Sequence, residues 1–483
     1  MAETEEPTMR DPAAVVKAYD IRGVVDDELD EGLAQTFGAC FARLVPEPEV
    51  VVGHDMRASS PRLARAFIRG VRGQGSDVVR IGLASTDMVS YASAALARPG
   101  AMITASHNPP HYNGIKLCRA HAEPIGWDTG LSTLLRMART ATPGPGPTVR
   151  AGDVRDHPVL LGYRDHLLAL AVPDAAPRRR VTAVVEAGGG MAGLTVPAVL
   201  GALPVEVIGL NFAVDGNVPQ PDSDPMKPGY TVELRARVRE MGADVGFAFD
   251  GDADRCVVVD ERGETVPPSA VGALLAERAL AREPGAAVVH SAVTSQSLVE
   301  AVNALGGRTT RSRVGHSYMK REMARHRAVL GVEHSGHYYF RDFWNADSGL
   351  LAALHVLAAS VATAVPVSEL IRRRTRYTTL PETAVRVGDP EERLHEVARV
   401  AGARADTTCD WLDGLTARRG DGAWFNLRPS QTESRGLLRL NVEALDAQTA
   451  RCLRAEVLAL LEEAAPSRPS VPPHAPVPAA PAH

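Results

Sequence analysis

Residues 244–255 read DVGFAFDGDADR. The run from Asp244 to Phe249 has the length and apolar character of a buried strand. Asp250, Asp252 and Asp254 follow at its C-terminal end, and Cys256 to Val259 read as a further strand. Similar apolar runs stand at 49–53, 78–83, 181–186 and 286–290, and stretches such as 60–74 and 231–241 carry helical spacing between them. That alternation predicts an α/β chain with mostly parallel sheets. At 483 residues the chain is too long for one core, and roughly three or four domains are expected.

Three carboxylates at i, i+2 and i+4 cannot lie close together in a tight loop without a cation. All-oxygen ligation suits Mg²⁺, which keeps open positions for water or a phosphate. Three other readings of the same residues compete. An EF-hand also begins D-x-D-x-D, and Glu261 falls at its twelfth position. Arg255 stands where that loop needs glycine, however, and strand-like residues follow. A haloacid-dehalogenase-type phosphotransferase would use Asp250 as nucleophile after such a strand. A solvated acidic turn needs no chemistry at all, and Arg255 would balance its charge.

A second stretch, TASHNPPHYNGIKL (104–117), offers Ser106, His107 and Lys116. It lacks the G-x-S-x-G elbow of α/β-hydrolases. Its own neighbours leave two readings open: a polar residue capping a turn, or a serine in a rigid loop that carries a phosphoryl group. Asn108, Pro109 and Pro110 would stiffen such a loop, Gly114 would permit close approach, and Lys116 would supply a cation. Adjacent side chains rarely face each other productively, so His107 is weak support.

In GVEHSGHYYF (331–340), Glu333, Ser335 and His337 alternate around Gly336. A carboxylate accepting from vicinal hydroxyls, helped by a serine, suits a sugar edge. In RPSQTES (428–434), Arg428, Ser430 and Thr432 make a phosphate cradle. An ordinary strand turn and a helix cap are the plainer alternatives. KAYDIRG (17–23) adds Lys17, Asp20 and Arg22, and SRVGHSYMK (312–320) adds His316.

Composition narrows the field. The net charge of -5 gives a nucleic-acid partner no electrostatic footprint. The five cysteines are scattered and form no CxxC pair, which fits a reducing, cytoplasmic setting. The acidic N-terminus is not a signal peptide. The apolar stretch 348–367 contains His355 and reads as a buried helix rather than a membrane span. Only four lysines, Lys17, Lys116, Lys227 and Lys320, stand among 53 basic residues. Each is a candidate for a place that needs a compact ammonium or a transferable proton, and Lys17 and Lys116 fall in the motif segments. Pro/Gly-rich breaks stand at 142–147 and 172–177, and the proline-rich 466–483 is expected to be disordered.

Taken together, KAYDIRG, GHDMRASSP (53–61), TASHNPPHYNGIKL, DGDADR, SRVGHS, VEHSGH and RPSQTE resemble the α-D-phosphohexomutase superfamily, in its phosphomannomutase/phosphoglucomutase branch. Their order and spacing match over about residues 13 to 465. The resemblance implies three related α/β domains and a C-terminal α+β domain around a central cleft. The expected segments are a disordered 1–12, domains at 13–151, 152–256, 257–370 and 371–465, and a disordered tail.

Ser106 matches the phosphoserine position. Asp250, Asp252 and Asp254 match the Mg²⁺ ligands, with a phosphoserine oxygen completing the set. Glu333 and Ser335 match the contacts to sugar O3 and O4, and Arg428, Ser430 and Thr432 match the site for the phosphate not being transferred. Arg22, Lys116, His316 and His337 match positions implicated in proton transfer or phosphate contact. His107 is expected to join the catalytic residues, and Arg255 the substrate-binding ones.

The implied activity moves a phosphoryl group between C1 and C6 of a hexose phosphate, with mannose and glucose both admissible. A hexose 1,6-bisphosphate is the intermediate and activator. Of the two candidate bases, Lys116 is preferred over Arg22 because it titrates more easily. The small-molecule hexose phosphate is the expected partner of a monomer or weak dimer that binds neither nucleic acid nor membrane. Several residues depart from the family pattern. Val332 precedes Glu333 where glycine is usual, Gln431 and Ser434 are altered, and two extra residues lie around Arg435 and Gly436. Arg435 is therefore a further phosphate candidate. The stretch 215–230 also departs from the family's wording.

Overall fold

A computed structural model describes residues 10–141, 150–171, 180–216, 224–430 and 436–462. The expected breaks at 142–147 and 172–177, and the proline-rich tail, fall outside them. The chain divides into two compact units, residues 1–377 and 378–483.

The first unit holds three sheets. In the first, the strands run in the order Ile21–Val24, Tyr112–Cys118, Gly100–Ile103, Glu49–His54, Asp77–Leu83 and Val154–Asp156. Tyr112–Cys118 is antiparallel to both neighbours, and the remaining pairs are parallel. The second sheet runs Cys256–Asp260, Val245–Phe249, Val181–Glu186 and Val205–Leu210, with its first pair antiparallel and the rest parallel. The third runs Arg308–Ser312, Ala287–Ser291, Leu330–Val332, Tyr338–Phe340 and Ala346–Asp347. Its first two pairings are parallel and its last two antiparallel.

Val245–Phe249 and Cys256–Asp260 are buried at every position, so neither alternates. Such strands lie between covering layers of helices. The six residues between Val245–Phe249 and its antiparallel partner start from Asp250, so the carboxylates sit on a hairpin-like loop at one edge of the second sheet. The second unit is an antiparallel sheet with helices Pro390–Gly402 and Ala447–Glu462, an α+β layer with its own apolar core. The whole is the four-domain α/β architecture expected from sequence.

The apolar stretch 348–367 forms the buried helix Gly349–Thr363. Among the described residues no helix is long and apolar enough to cross a membrane.

Four expected segment edges differ from the structure. Helix Pro12–Val15 begins inside the segment expected to be disordered, and Arg10 is tied to Asp30 at 2.7 Å. Strand Val154–Asp156 completes the first sheet, so an edge at 151 falls too early. An edge at 256 cuts the strand Cys256–Asp260 from its own sheet. An edge at 370 cuts helix Val367–Arg372. In each case pairing or packing with a distant element sets membership, which local composition does not carry.

Gly114 is the tightest point of the first sheet near the motif loop. A Cβ there would stand 2.2 Å from the Ile21 carbonyl oxygen and 3.0 Å from that of Thr104. Gly114→Ala must therefore push two backbones apart. The expected loss is about 1–3 kcal/mol, the scale of overpacking in a rigid interior. Urea unfolding measures it; a midpoint equal to that of the unsubstituted chain would show that the strands yield freely.

Candidate active site

The serine loop connects Gly100–Ile103 to Tyr112–Cys118. Ser106 takes φ +52°, a left-handed conformation costing a non-glycine residue about 1–2 kcal/mol. The surroundings hold it there. Its N–H donates to Thr104 Oγ1 at 2.9 Å, and Thr104 Oγ1 donates to Asp55 Oδ2 at 2.7 Å. Arg57 does most of the anchoring. Its Nη2 donates to the carbonyls of Ser106 (2.7 Å) and Asn108 (2.6 Å), and its Nη1 to those of Pro109 (2.8 Å) and Tyr112 (3.1 Å). Asp55 pairs with Arg57 at 3.2 Å and accepts from Ser60 and the Arg57 N–H. One guanidinium thus fixes four carbonyls of the loop.

The carboxylate loop meets it directly. Ser106 Oγ donates to Asp250 Oδ2 at 2.8 Å. Gly251 makes the approach possible, because a Cβ there would stand 2.6 Å from the Ser106 carbonyl oxygen. Asp250, Asp252 and Asp254 are at most 1 % exposed, and each brings a carboxylate oxygen within 4.8 Å of the others. Lys116 Nζ lies 2.6 Å from both Asp252 Oδ2 and Asp254 Oδ2. Thr86 Oγ1 also donates to Asp252 Oδ2, at 2.5 Å. Asp252 Oδ1 is buried and has no hydrogen-bond partner among the described residues.

The electrostatics follow from this crowding. Burial, then Asp254 and Asp252, hold the Asp250 carboxyl well above the usual carboxylate range. Burial acts the same way on Asp254, but Lys116, His337 and Arg255 outweigh it and bring that carboxyl well below. A buried set of carboxylate oxygens that repel one another is the donor chemistry of a hard divalent cation.

Around this core stand the remaining sequence candidates of the first unit. Arg255 Nη2 lies 2.9 Å from His107 Nδ1, and its Nε is 3.6 Å from Asp250 Oδ2. His107 Nδ1 is also 3.2 Å from Ser106 Oγ, so the adjacent side chains do meet. A guanidinium only donates, so Nδ1 is an acceptor, and the Ser106 proton is already committed to Asp250. Burial, then Arg255 and Arg22, keep His107 well below its ordinary value and hence neutral.

His337 Nε2 lies 3.3 Å from Asp254 Oδ1 and its Nδ1 2.8 Å from Ser335 Oγ. The backbone N–H of Cys256 donates to the Gly336 carbonyl at 3.0 Å, which stitches the 331–340 segment to the carboxylate loop. Glu333 is buried; its Oε1 accepts from the Gly315 N–H at 2.9 Å and its Oε2 from Tyr339 Oη at 2.5 Å. Arg22 reaches Asp20 at 2.5 Å and Asn108 Oδ1 at 2.7 Å. His316 packs edge-on to Tyr19 with ring centroids 4.9 Å apart. Burial, then Lys320, push its imidazole down to about 3, so it is neutral.

The preference for Lys116 as the more easily titrated group meets a difficulty here. Burial favours its neutral form, but Asp252 and Asp254 outweigh burial and raise its pKa above the ordinary lysine value. Arg22 is raised likewise, with Asp20 overcoming burial. In this arrangement both candidate bases are held as cations.

Of the second unit, Arg428 Nη2 pairs with Glu382 Oε2 at 3.0 Å. Arg439 Nε donates to Ser430 Oγ at 3.2 Å, and Arg439 also pairs with Glu382. Thr432 and Arg435, with the altered Gln431 and Ser434, lie outside the described residues.

Several residues here were not singled out from sequence, Asp55, Arg57, Thr86, Asp347 and Glu382, and Lys320 was named only in the lysine count. The lysine count held the one usable signal. Lys320 is buried against Asp347 at 2.8 Å, whereas Lys17 caps the Ala14 carbonyl at the surface. Asp347 lies in turn with Asp254 and His337, their ligand atoms within 4.8 Å.

Arg57→Met removes the donor of four loop carbonyls and strands Asp55. The expected cost is about 2–4 kcal/mol, the scale of breaking a buried charged network. Chemical denaturation checks it; a cost under about 0.5 kcal/mol would mean that water replaces Arg57 without penalty.

Three family models match this chain, for phosphoglucomutase/phosphomannomutase α/β/α domains I (residues 13–136), II (162–263) and III (267–377). The chain is 38% identical over 432 residues to phosphohexose mutases of Xanthomonas campestris pv. campestris, covering 88% of this chain and 94% of that protein. It is 36% identical over 438 residues to phosphomannomutase of Escherichia coli strain K12, covering 89% and 94%. A crystal structure of a phosphoglucomutase/phosphomannomutase family protein from Burkholderia thailandensis superposes with a TM-score of 0.85 at 29% identity, covering 94% of this chain and 98% of that one. By motif, fold and full-length similarity, this chain belongs to the phosphoglucomutase/phosphomannomutase family of α-D-phosphohexomutases.

Proposed function

We propose that this phosphohexomutase interconverts the 1- and 6-phosphates of a hexose through a phosphate carried on Ser106, with a hexose 1,6-bisphosphate as intermediate. The observation that carries this reading is the 2.8 Å bond from Ser106 Oγ to Asp250 in a buried cluster of three carboxylates. A hydroxyl aimed at carboxylates is where a metal-bound phosphoryl group would sit.

Asp250, Asp252 and Asp254 would hold Mg²⁺, with an oxygen of the Ser106 phosphate. The orphaned Asp252 Oδ1 and the up-shifted Asp250 both fit that ion. When bound, Mg²⁺ supplies positive charge to the phosphoryl oxygens as the group is transferred. The chain's own cations add to this field: Arg255 beside Asp250, and Lys116 across Asp252 and Asp254.

Phosphate on Ser106 passes to the free hydroxyl of a hexose 1- or 6-phosphate. The bisphosphate so formed turns end for end, and its other phosphate returns to Ser106. Lys116 can take the hydroxyl proton only when something other than its own ammonium compensates Asp252 and Asp254. A divalent cation on those carboxylates meets that condition. His107, neutral and bonded to Arg255, steadies Arg255 rather than deprotonating Ser106.

Glu333 and Ser335 are proposed to bind sugar O3 and O4, which survive the turn nearly in place. Glu333 spends one bond per oxygen on Gly315 and Tyr339, leaving lone pairs for hydroxyls. Neither residue distinguishes C2, so both mannose and glucose phosphates are expected substrates. For the phosphate not being transferred, the roles of Arg428, Ser430, Thr432 and Arg435 are carried over from the resemblance.

A coupled assay with mannose, glucose and glucosamine 1-phosphates tests the reading. Mannose and glucose phosphates should turn over, and a trace of 1,6-bisphosphate should raise the initial rate. Ser106→Ala should lower the rate by about 10³-fold or more, the scale on which loss of a covalent nucleophile is felt. Chelation should abolish turnover and Mg²⁺ restore it. Full activity of Ser106→Ala, or of the chelated protein, would sink the proposal.

A further inference from the structure

Asp87 lies outside every motif considered so far. It sits in the first turn of helix Thr86–Leu96 and is buried. A first-turn aspartate ordinarily serves the helix end. This one does more, because its carboxylate gathers hydroxyls from three places in the chain. Ser85 donates to Oδ1. Tyr163 Oη, from helix Leu160–Ala171, and Ser348 Oγ, which caps helix Gly349–Thr363, each donate to Oδ2 at 2.6 Å. Among the described residues its hydrogen bonds come from hydroxyls alone. Burial accordingly pushes its carboxyl up to about 6.

The two arms that meet at Asp87 touch the carboxylate loop at different residues. On one side Thr86 precedes Asp87. Its N–H donates to the Asp252 carbonyl at 3.1 Å and its Oγ1 to Asp252 Oδ2 at 2.5 Å. On the other, Ser348 is flanked by Asp347 and Gly349. Asp347 lies with Asp254 and His337, ligand atoms within 4.8 Å. Gly349 is pressed so closely on the loop that a Cβ would stand 2.5 Å from the Arg255 carbonyl oxygen and 3.2 Å from that of Ala253. The contacts form a ring: Asp252 to Thr86, Asp87, Ser348 and Gly349, which packs against the carbonyls of Ala253 and Arg255 on either side of Asp254.

We propose that Asp87 is a positioning residue for the divalent-cation site, holding Asp252 and Asp254 at a fixed separation by tying Thr86 to Ser348. This inference rests on the metal reading of the triad given above. Residues that touch no metal but orient its ligands typically govern affinity by about 10–100-fold.

The test is direct binding of Mn²⁺, as a spectroscopic surrogate for Mg²⁺, to the full chain by electron paramagnetic resonance titration, with thermal midpoints measured alongside. Asp87→Asn keeps the shape but replaces one accepting oxygen by a donor; its affinity should fall about 10–100-fold. Ser348→Ala opens the ring at one link and should weaken binding by about tenfold. Tyr163→Phe removes a hydroxyl from the same carboxylate without touching the ring, and should stay within about twofold. If Asp87→Asn does not fold, the contrast between Ser348→Ala and Tyr163→Phe decides. Wild-type affinity in Ser348→Ala would overturn the inference, as would losses in all variants that simply track their thermal midpoints. A wild-type chain that binds no Mn²⁺ would sink the metal reading and this inference together; binding by wild type with unaffected variants would sink the inference alone.

Discussion

Three aspartates buried within one ion's reach of each other set the terms for the rest of the first unit. Taking even one carboxylate out of water costs several kcal/mol, and three adjacent ones repel as well. The surrounding residues answer that cost. Lys116 bridges two of the carboxylates, Thr86 donates to one, His337 and Arg255 stand beside the others, and Ser106 donates a hydrogen bond to Asp250. Even so, Asp250 remains up-shifted and Asp252 Oδ1 has no hydrogen-bond partner among the described residues. The deficit is one of positive charge, and it lies where a phosphoryl group on Ser106 would need it.

The groups around Ser106 do not arrange it as an activated nucleophile. Its hydroxyl donates to a carboxylate and not to the imidazole next to it, which already accepts from Arg255. The loop around it is built for position. Arg57 spends its guanidinium on main-chain carbonyls, which keeps Ser106 in a strained left-handed conformation facing the second sheet. A carrier of phosphate needs such a mount more than it needs an activated hydroxyl.

The sequence made the strands and the carboxylate loop readable because their signals are local. Strand 181–186 appears with the expected limits and Val245–Phe249 within a residue of them, and the apolar run after 348 is the buried helix Gly349–Thr363. The serine was legible only in company, since its own neighbours suit a turn equally well. What stayed hidden was long-range. Nothing near Arg57 says that it will bind carbonyls about fifty positions away, and Asp347 sits on a two-residue strand with no pattern of its own. Lys116 illustrates the opposite limit: its type suggested a proton acceptor, but two carboxylates from another sheet hold it as a cation. The segment edges failed for the same reason, since Val154–Asp156 belongs to a sheet only through its partner at Asp77–Leu83.

The central claim is that the phosphoryl group rests on Ser106 and not on a carboxylate of the cluster beside it. Site mapping decides this most directly: the protein is incubated with hexose 1,6-bisphosphate and Mg²⁺, quenched, digested, and the modified peptide sequenced by mass spectrometry. The account predicts phosphate on the peptide containing TASHNPP, at Ser106. Phosphate recovered as a hydroxylamine-labile acyl phosphate on Asp250, with Ser106 unmodified, would contradict it.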